Sequence, residues 1–205
     1  MPSAAFEAAL PFVLRWEGGF VDHPNDPGGR TNRGITQKVY DAWRDRQGQP
    51  RADVKFIADE DVHAIYESGY WLPPRCEVLP DPLPLVQFDT AVNMGVGRAV
   101  RFLQQSVGCG VDGRFGPDTL QATQDCDGEE AAARYCGVRE NYYRRLAAAR
   151  PELAVFLKGW LNRLDALRRQ IDPASFGVEP AIPDFGDAGY IRRIPDLGES
   201  ADFDL

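Results

Sequence analysis

Apolar residues recur at helical spacing from the start of the chain. Phe6, Leu10, Val13 and Leu14 share one face behind Ser3, a residue suited to cap a helix, and this spacing predicts one helix over residues 3–17. Gly18 and Gly19 then end it, because glycine takes the left-handed backbone of a helix terminus at little cost. Thr36 caps a second helix carrying Val39, Tyr40 and Trp43, which fades by Gln47-Gly48-Gln49-Pro50. Asp59 opens a third, with Val62, Ile65, Tyr66 and Tyr70 on one side. Pro73, Pro74, Pro80, Pro82 and Pro84 punctuate the next stretch, where a hinge or lobe boundary is expected. Further helices follow at about 84–94, 97–107, 117–125, 128–149 and 152–171. The polar loop from Gly18 to Gly34 has room for a short hairpin, and nothing else alternates with a period of two. The pattern predicts a mainly α protein in two closely packed lobes, residues 1–83 and 84–171, followed by a tail, 172–205.

Charge narrows the partners. The 205 residues carry a net charge of -8, which argues against a nucleic-acid partner, since that calls for a basic face. The excess is local: residues 172–205 hold eight acidic residues against Arg192 and Arg193, leaving the rest close to neutral. The tail is rich in Pro and Gly, yet Phe176, Phe185, Tyr190, Ile191, Ile194 and Phe203 give it apolar area with which to pack or to meet a partner. No basic, apolar leader opens the chain, and Ala8 to Leu14 is too short and amphipathic to span a bilayer. Synthesis in the cytoplasm without stable membrane insertion is the expectation.

Candidate chemistry gathers where the first helix ends. Glu17 falls in its last turn, beside unpaired carbonyls whose partial negative charge disfavours a second negative charge. Packing against Trp16 and Phe20 adds desolvation, and both effects favour the protonated carboxyl that a general acid needs near neutral pH. The loop beyond holds Asp22, Asp26 and Thr31. Asp26 reads locally as an Asx turn and Thr31 as a turn cap. The loop does not follow the calcium pattern D-x-[DN]-x-[DN]-G, and Pro24 occupies a ligand slot. Cys76, Cys109, Cys126 and Cys136 lack CxxC spacing and His23 and His63 stand apart, so neither zinc nor any other metal or organic cofactor is expected. Buried free thiols are the favoured reading of the cysteines, with a disulfide among Cys109, Cys126 and Cys136 as the alternative.

The stretch E-G-G-F-V-D-H-P-N-D-P-G-G-R-T-N-R-G-I-T, residues 17–36, resembles the signature of glycoside hydrolase family 108, the N-acetylmuramidases also called secretion activator proteins. The order Glu17, Asp26, Thr31 is also similar to the Glu/Asp/Thr arrangement of phage-type lysozymes, with a slightly shorter gap between Asp and Thr. F-D-T-A-V-N-M-G-V-G-R-A (88–99), F-L-Q-Q (102–105) and V-D-G-R-F-G-P-D-T-L (111–120) resemble the peptidoglycan-binding domain that follows the catalytic segment in that family. The residue types of V-D-G-R-F-G-P-D-T are also those of a turn scaffold.

The resemblance implies a lysozyme-like helical fold and a monomeric endolysin-type muramidase cutting the β-1,4 bond between N-acetylmuramic acid and N-acetylglucosamine. Glu17 is then the acid, Asp26 and Thr31 its catalytic partners, and Asp22 the alternative second carboxylate. Phe20, His23 and Asn93 are the expected substrate contacts, although Asn93 equally suits a helix cap. The implied partners are peptidoglycan glycan strands, with a holin or secretion apparatus giving access to the wall. A lytic transglycosylase acting on the same bond, and a non-catalytic wall-binding phage or secretion protein, are the rival readings.

Overall fold

The computed structural model describes residues 3–22 and 29–172. His23, Asp26 and the tail from residue 173 lie outside the described residues. Eight α-helices, short 3-10 and π turns and one two-stranded sheet make up the described chain. It falls into two compact units, one ending at Gly69 and the other beginning at Tyr70.

In the first unit, helix α1 spans Ala4–Glu17, and the Ser3 hydroxyl caps it by accepting from the Phe6 amide at 3.2 Å. Its buried face carries Phe6, Leu10 and Val13 and ends on Glu17. Strands β1 (Thr31–Asn32) and β2 (Ile35–Thr36) form the expected hairpin. Both turn residues, Arg33 (φ 50°) and Gly34 (φ 73°), lie in the left-handed region that two-residue hairpins of this hand require. Val21 joins the outer side of β1, exchanging amide bonds with Thr31 at 2.8 and 2.9 Å. Thr36 caps α2 (Gln37–Arg46), whose Tyr40 and Trp43 are buried. A 3-10 turn at Val54–Phe56 leads to α3 (Asp59–Tyr66), which opens on Asp59, Glu60 and Asp61, favourably placed against the helix dipole.

The second unit is built around α4 (Leu83–Met94), buried along nearly its whole length and therefore apolar or internally paired on every side. Helices α5 (Val96–Val107) and α7 (Gly128–Ala149) pack against it, with α8 (Leu157–Ile171) lying on α7 and α6 (Pro117–Asp125) on α5. The proline-punctuated segment belongs to this unit: Cys76 is fully buried and the Pro74 carbonyl accepts from the buried Gln87 side chain. Gly128 opens α7 against the Asp81 carbonyl, a contact that leaves no room for a Cβ. All four cysteines are free thiols, Cys76 and Cys136 buried, Cys109 and Cys126 only half-buried. Burial raises the Cys136 thiol to about 11.

The V-D-G-R-F-G-P-D-T turn is held from within. The Gln104 side chain, 1% exposed, accepts from the Asp112 and Gly113 amides at 3.0 and 2.9 Å and donates to Asp112, Thr119 and the Arg114 carbonyl. Asp112 in turn accepts from the Arg114 amide at 2.8 Å. This network accounts for Asp112 and Thr119 of the turn without a ligand. Replacing Gln104 by Leu strands several of these groups and is expected to cost about 1–3 kcal/mol in a denaturant melt.

Candidate active site

Glu17 occupies the position that Val13 and Leu10 set up one and two turns earlier, so the apolar face of α1 carries its carboxyl inward. It is 3% exposed. Gly18, at φ 74°, turns the chain out of the helix directly behind it.

The hairpin turn closes on this carboxyl. A Cβ built on Gly34 would lie 2.5 Å from Glu17 Oε2 and 2.8 Å from the Tyr66 hydroxyl oxygen, so glycine is demanded here by space as well as by its positive φ. The Tyr66 hydroxyl donates to the Arg33 carbonyl at 2.7 Å, tying α3 to the same turn. Sequence periodicity assigned Tyr66 to an apolar face. Its ring is indeed buried, but its oxygen borders the carboxyl site, and a period of 3.6 carries no signal for that.

Arg30, Asn32 and Arg33 are clamped onto residues 53–59. Arg30 bridges Asp22 at 3.2 Å and Asp53 at 2.8 Å. The Asn32 amide donates to the carbonyls of Val54 and Lys55 at 3.1 and 3.0 Å. Arg33 pairs with Asp59 and holds that carboxyl below the usual carboxylate range. Asp22 is thus about half exposed and engaged by a guanidinium. The Thr31 hydroxyl, 3% exposed, donates to the Gly29 carbonyl at 3.2 Å. Phe20 stays 38% exposed.

Asn93 lies in the second unit. It is 1% exposed, and its Oδ1 accepts from the Tyr143 hydroxyl at 2.8 Å, so it ties α4 to α7. Among the described residues its Nδ2 has no hydrogen-bond partner. The network it joins was not foreseen. Asp89 contacts Arg139 at 2.6 Å and Arg163 at 2.8 Å, all three at most 1% exposed, and Arg139 also reaches Thr90 and Tyr143. Two residues of the F-D-T-A-V-N-M-G stretch, Asp89 and Asn93, therefore serve helix packing. Among the described residues no cluster of His, Cys, Asp and Glu is arranged to hold a metal, and no helix is long and apolar enough to cross a membrane.

Comparison with known proteins bears on both units. The family model described as Glycosyl hydrolase 108 matches residues 10–95, and that described as Predicted Peptidoglycan domain matches residues 98–165. Among solved structures, that of Brucella abortus SagA is similar, with 34% identity and a TM-score of 0.67, covering 81% of this chain and 92% of that one. No curated protein matches.

Proposed function

The chain belongs to the glycosyl hydrolase 108 family, and on that premise we propose that it cleaves the β-1,4 bond between N-acetylmuramic acid and N-acetylglucosamine, with Glu17 as the general acid. A glycoside hydrolase with a mainly helical, lysozyme-like fold is the frame for this reading. Its support is the placement of Glu17, whose carboxyl ends the buried face of α1 and is bordered by the Gly34 turn, where an added Cβ would run into it.

In the proposed step, the Glu17 proton passes to the bridging oxygen as the C1–O bond breaks and the sugar ring gains oxocarbenium character. Water completes the reaction at C1, leaving a new hydroxyl on each fragment. Glycosidases commonly add a second carboxyl that either activates this water or meets the positive charge. We assign that part to Asp26, since Asp22 is already engaged by Arg30. Thr31 fixes the end of the loop and offers its hydroxyl oxygen to the water. The exposed Phe20 ring is suited to a sugar face, whereas the burial of Asn93 favours its helix-tying role. The match of residues 98–165 supports wall attachment by the second unit.

Weighing the fragments released from purified sacculi tests this reading. Hydrolysis adds one water per cut. Anhydro ends would instead establish transglycosylation, and intact sacculi a binder without turnover.

Gly34→Ala tests the part played by the turn. The added methyl displaces the Glu17 carboxyl, so the cleavage rate is expected to fall about 10- to 100-fold, the range for an ångström-scale misplacement of a catalytic group. Wall binding measured by co-sedimentation is expected to persist.

A further inference from the structure

Beside this site stands a surface of which the proposed chemistry uses only the Phe20 ring. Phe56 is 76% exposed and Phe20 38%. The Lys55 ammonium lies over both rings, 5.4 Å from the Phe20 centroid and 5.7 Å from that of Phe56. Among the described residues no carboxylate pairs with Lys55, although neighbouring Arg30 and Arg33 are each paired.

The segment is fixed before any ligand arrives. Val54 is fully buried, and its amide donates to Gln37 at 2.8 Å. Asp53 accepts from the Lys55 amide at 3.0 Å, and the Asn32 side chain holds the Val54 and Lys55 carbonyls from the hairpin. Two rings and a cation are therefore presented on a rigid backbone, so little ordering entropy is lost when they are covered. Phe20 follows Glu17 by three residues, which places its Cα within about 11 Å of that of Glu17 along even a fully extended chain.

We propose that Phe56, Lys55 and Phe20 form a subsite for a flanking muramoyl-peptide unit of the wall strand. This rests on the muramidase reading and deepens it. The aromatic faces offer apolar area to the C–H face of a pyranose ring. The ammonium between them meets a carboxylate of the stem peptide, an anion that chitin-type strands lack. The subsite thus selects peptide-bearing glycan over bare polysaccharide and raises the occupancy of the strand across Glu17.

The test uses the full chain, soluble peptidoglycan fragments of defined length, and the same fragments with their carboxylates amidated. Phe56→Ala is expected to raise KM about fivefold, the scale of one stacked ring, with kcat within about twofold. Lys55→Gln is expected to raise KM about threefold on native fragments, the scale of one exposed ion pair, and to have no effect on amidated ones. Dissociation constants measured in a Glu17→Gln background, where fragments are not consumed, are expected to move by the same factors. Both constants unchanged in both variants overturns the subsite, whether or not the wild-type chain cuts. Equal effects of Lys55→Gln on native and amidated fragments overturn the carboxylate contact. Absence of turnover by the wild-type chain, with the binding shifts present, counts against the muramidase reading and leaves the subsite standing.

Discussion

Glu17→Gln is expected to slow glycan cleavage about 100- to 10,000-fold, the range that a positioned proton donor contributes. Glutamine keeps the length and planarity of the side chain that lies against the Gly34 turn. It has no acidic proton to give to the leaving oxygen, which must then depart as an alkoxide. The melting curve is expected to stay within about 1 kcal/mol of the wild type, because one neutral hydrogen-bonding group replaces a carboxyl of the same shape. Initial rates of reducing-end release, read beside a thermal melt, check both halves. A loss below tenfold means that the proton comes from another group.

Asp89→Asn is expected to cost about 3–5 kcal/mol of stability, the scale for removing one partner of a buried ion pair. The carboxylate lies between Arg139 and Arg163, and none of the three is more than 1% exposed. Without it, two buried guanidiniums lose the carboxylate that both of them contact. Arg139→Met keeps the contact between Asp89 and Arg163, so it is expected to cost less, about 1–3 kcal/mol. Denaturant melts of the two variants check the order, and the reverse order removes the electrostatic explanation. Burial alone raises the Asp89 carboxyl, but the Arg163 and Arg139 guanidiniums outweigh it and hold the group below the usual carboxylate range. A carboxyl with a lowered folded value stabilises fully above its unfolded value, near 3.9, and loses that contribution as pH falls through the folded value. The wild-type chain is therefore expected to lose stability in acid more steeply than Asp89→Asn below about pH 4.

What could be read from sequence was local. Ser3, Thr36 and the Gly18 break act within one helical turn, and the helices they delimit lie within a residue or two of expectation. The hairpin was legible from the glycine-rich loop, but its turn, and with it the demand on Gly34, depends on Glu17 and Tyr66 approaching from two other elements. Asp89, Arg139 and Arg163 are separated by many turns of helix. On a helical wheel each arginine reads as a solvent-facing residue, and nothing local says that a carboxylate waits inside. The clamp of Arg30 and Asn32 onto residues 53–55 was hidden for the same reason. The family resemblance points to Glu17 as the acid, while the burial of Asp89, Asn93 and Gln104 inside the helical packing had no local signal.

The proton-donor role of Glu17 is tested most directly by changing the leaving group. A glycosidic oxygen of a wall sugar needs a proton to depart, whereas a nitrophenolate leaves without one. Rates for the wild-type chain and Glu17→Gln are compared on peptidoglycan fragments and on the nitrophenyl glycoside of a wall oligosaccharide. The account predicts that the large deficit on fragments shrinks to within about tenfold on the nitrophenyl substrate. An equal deficit on both substrates contradicts it.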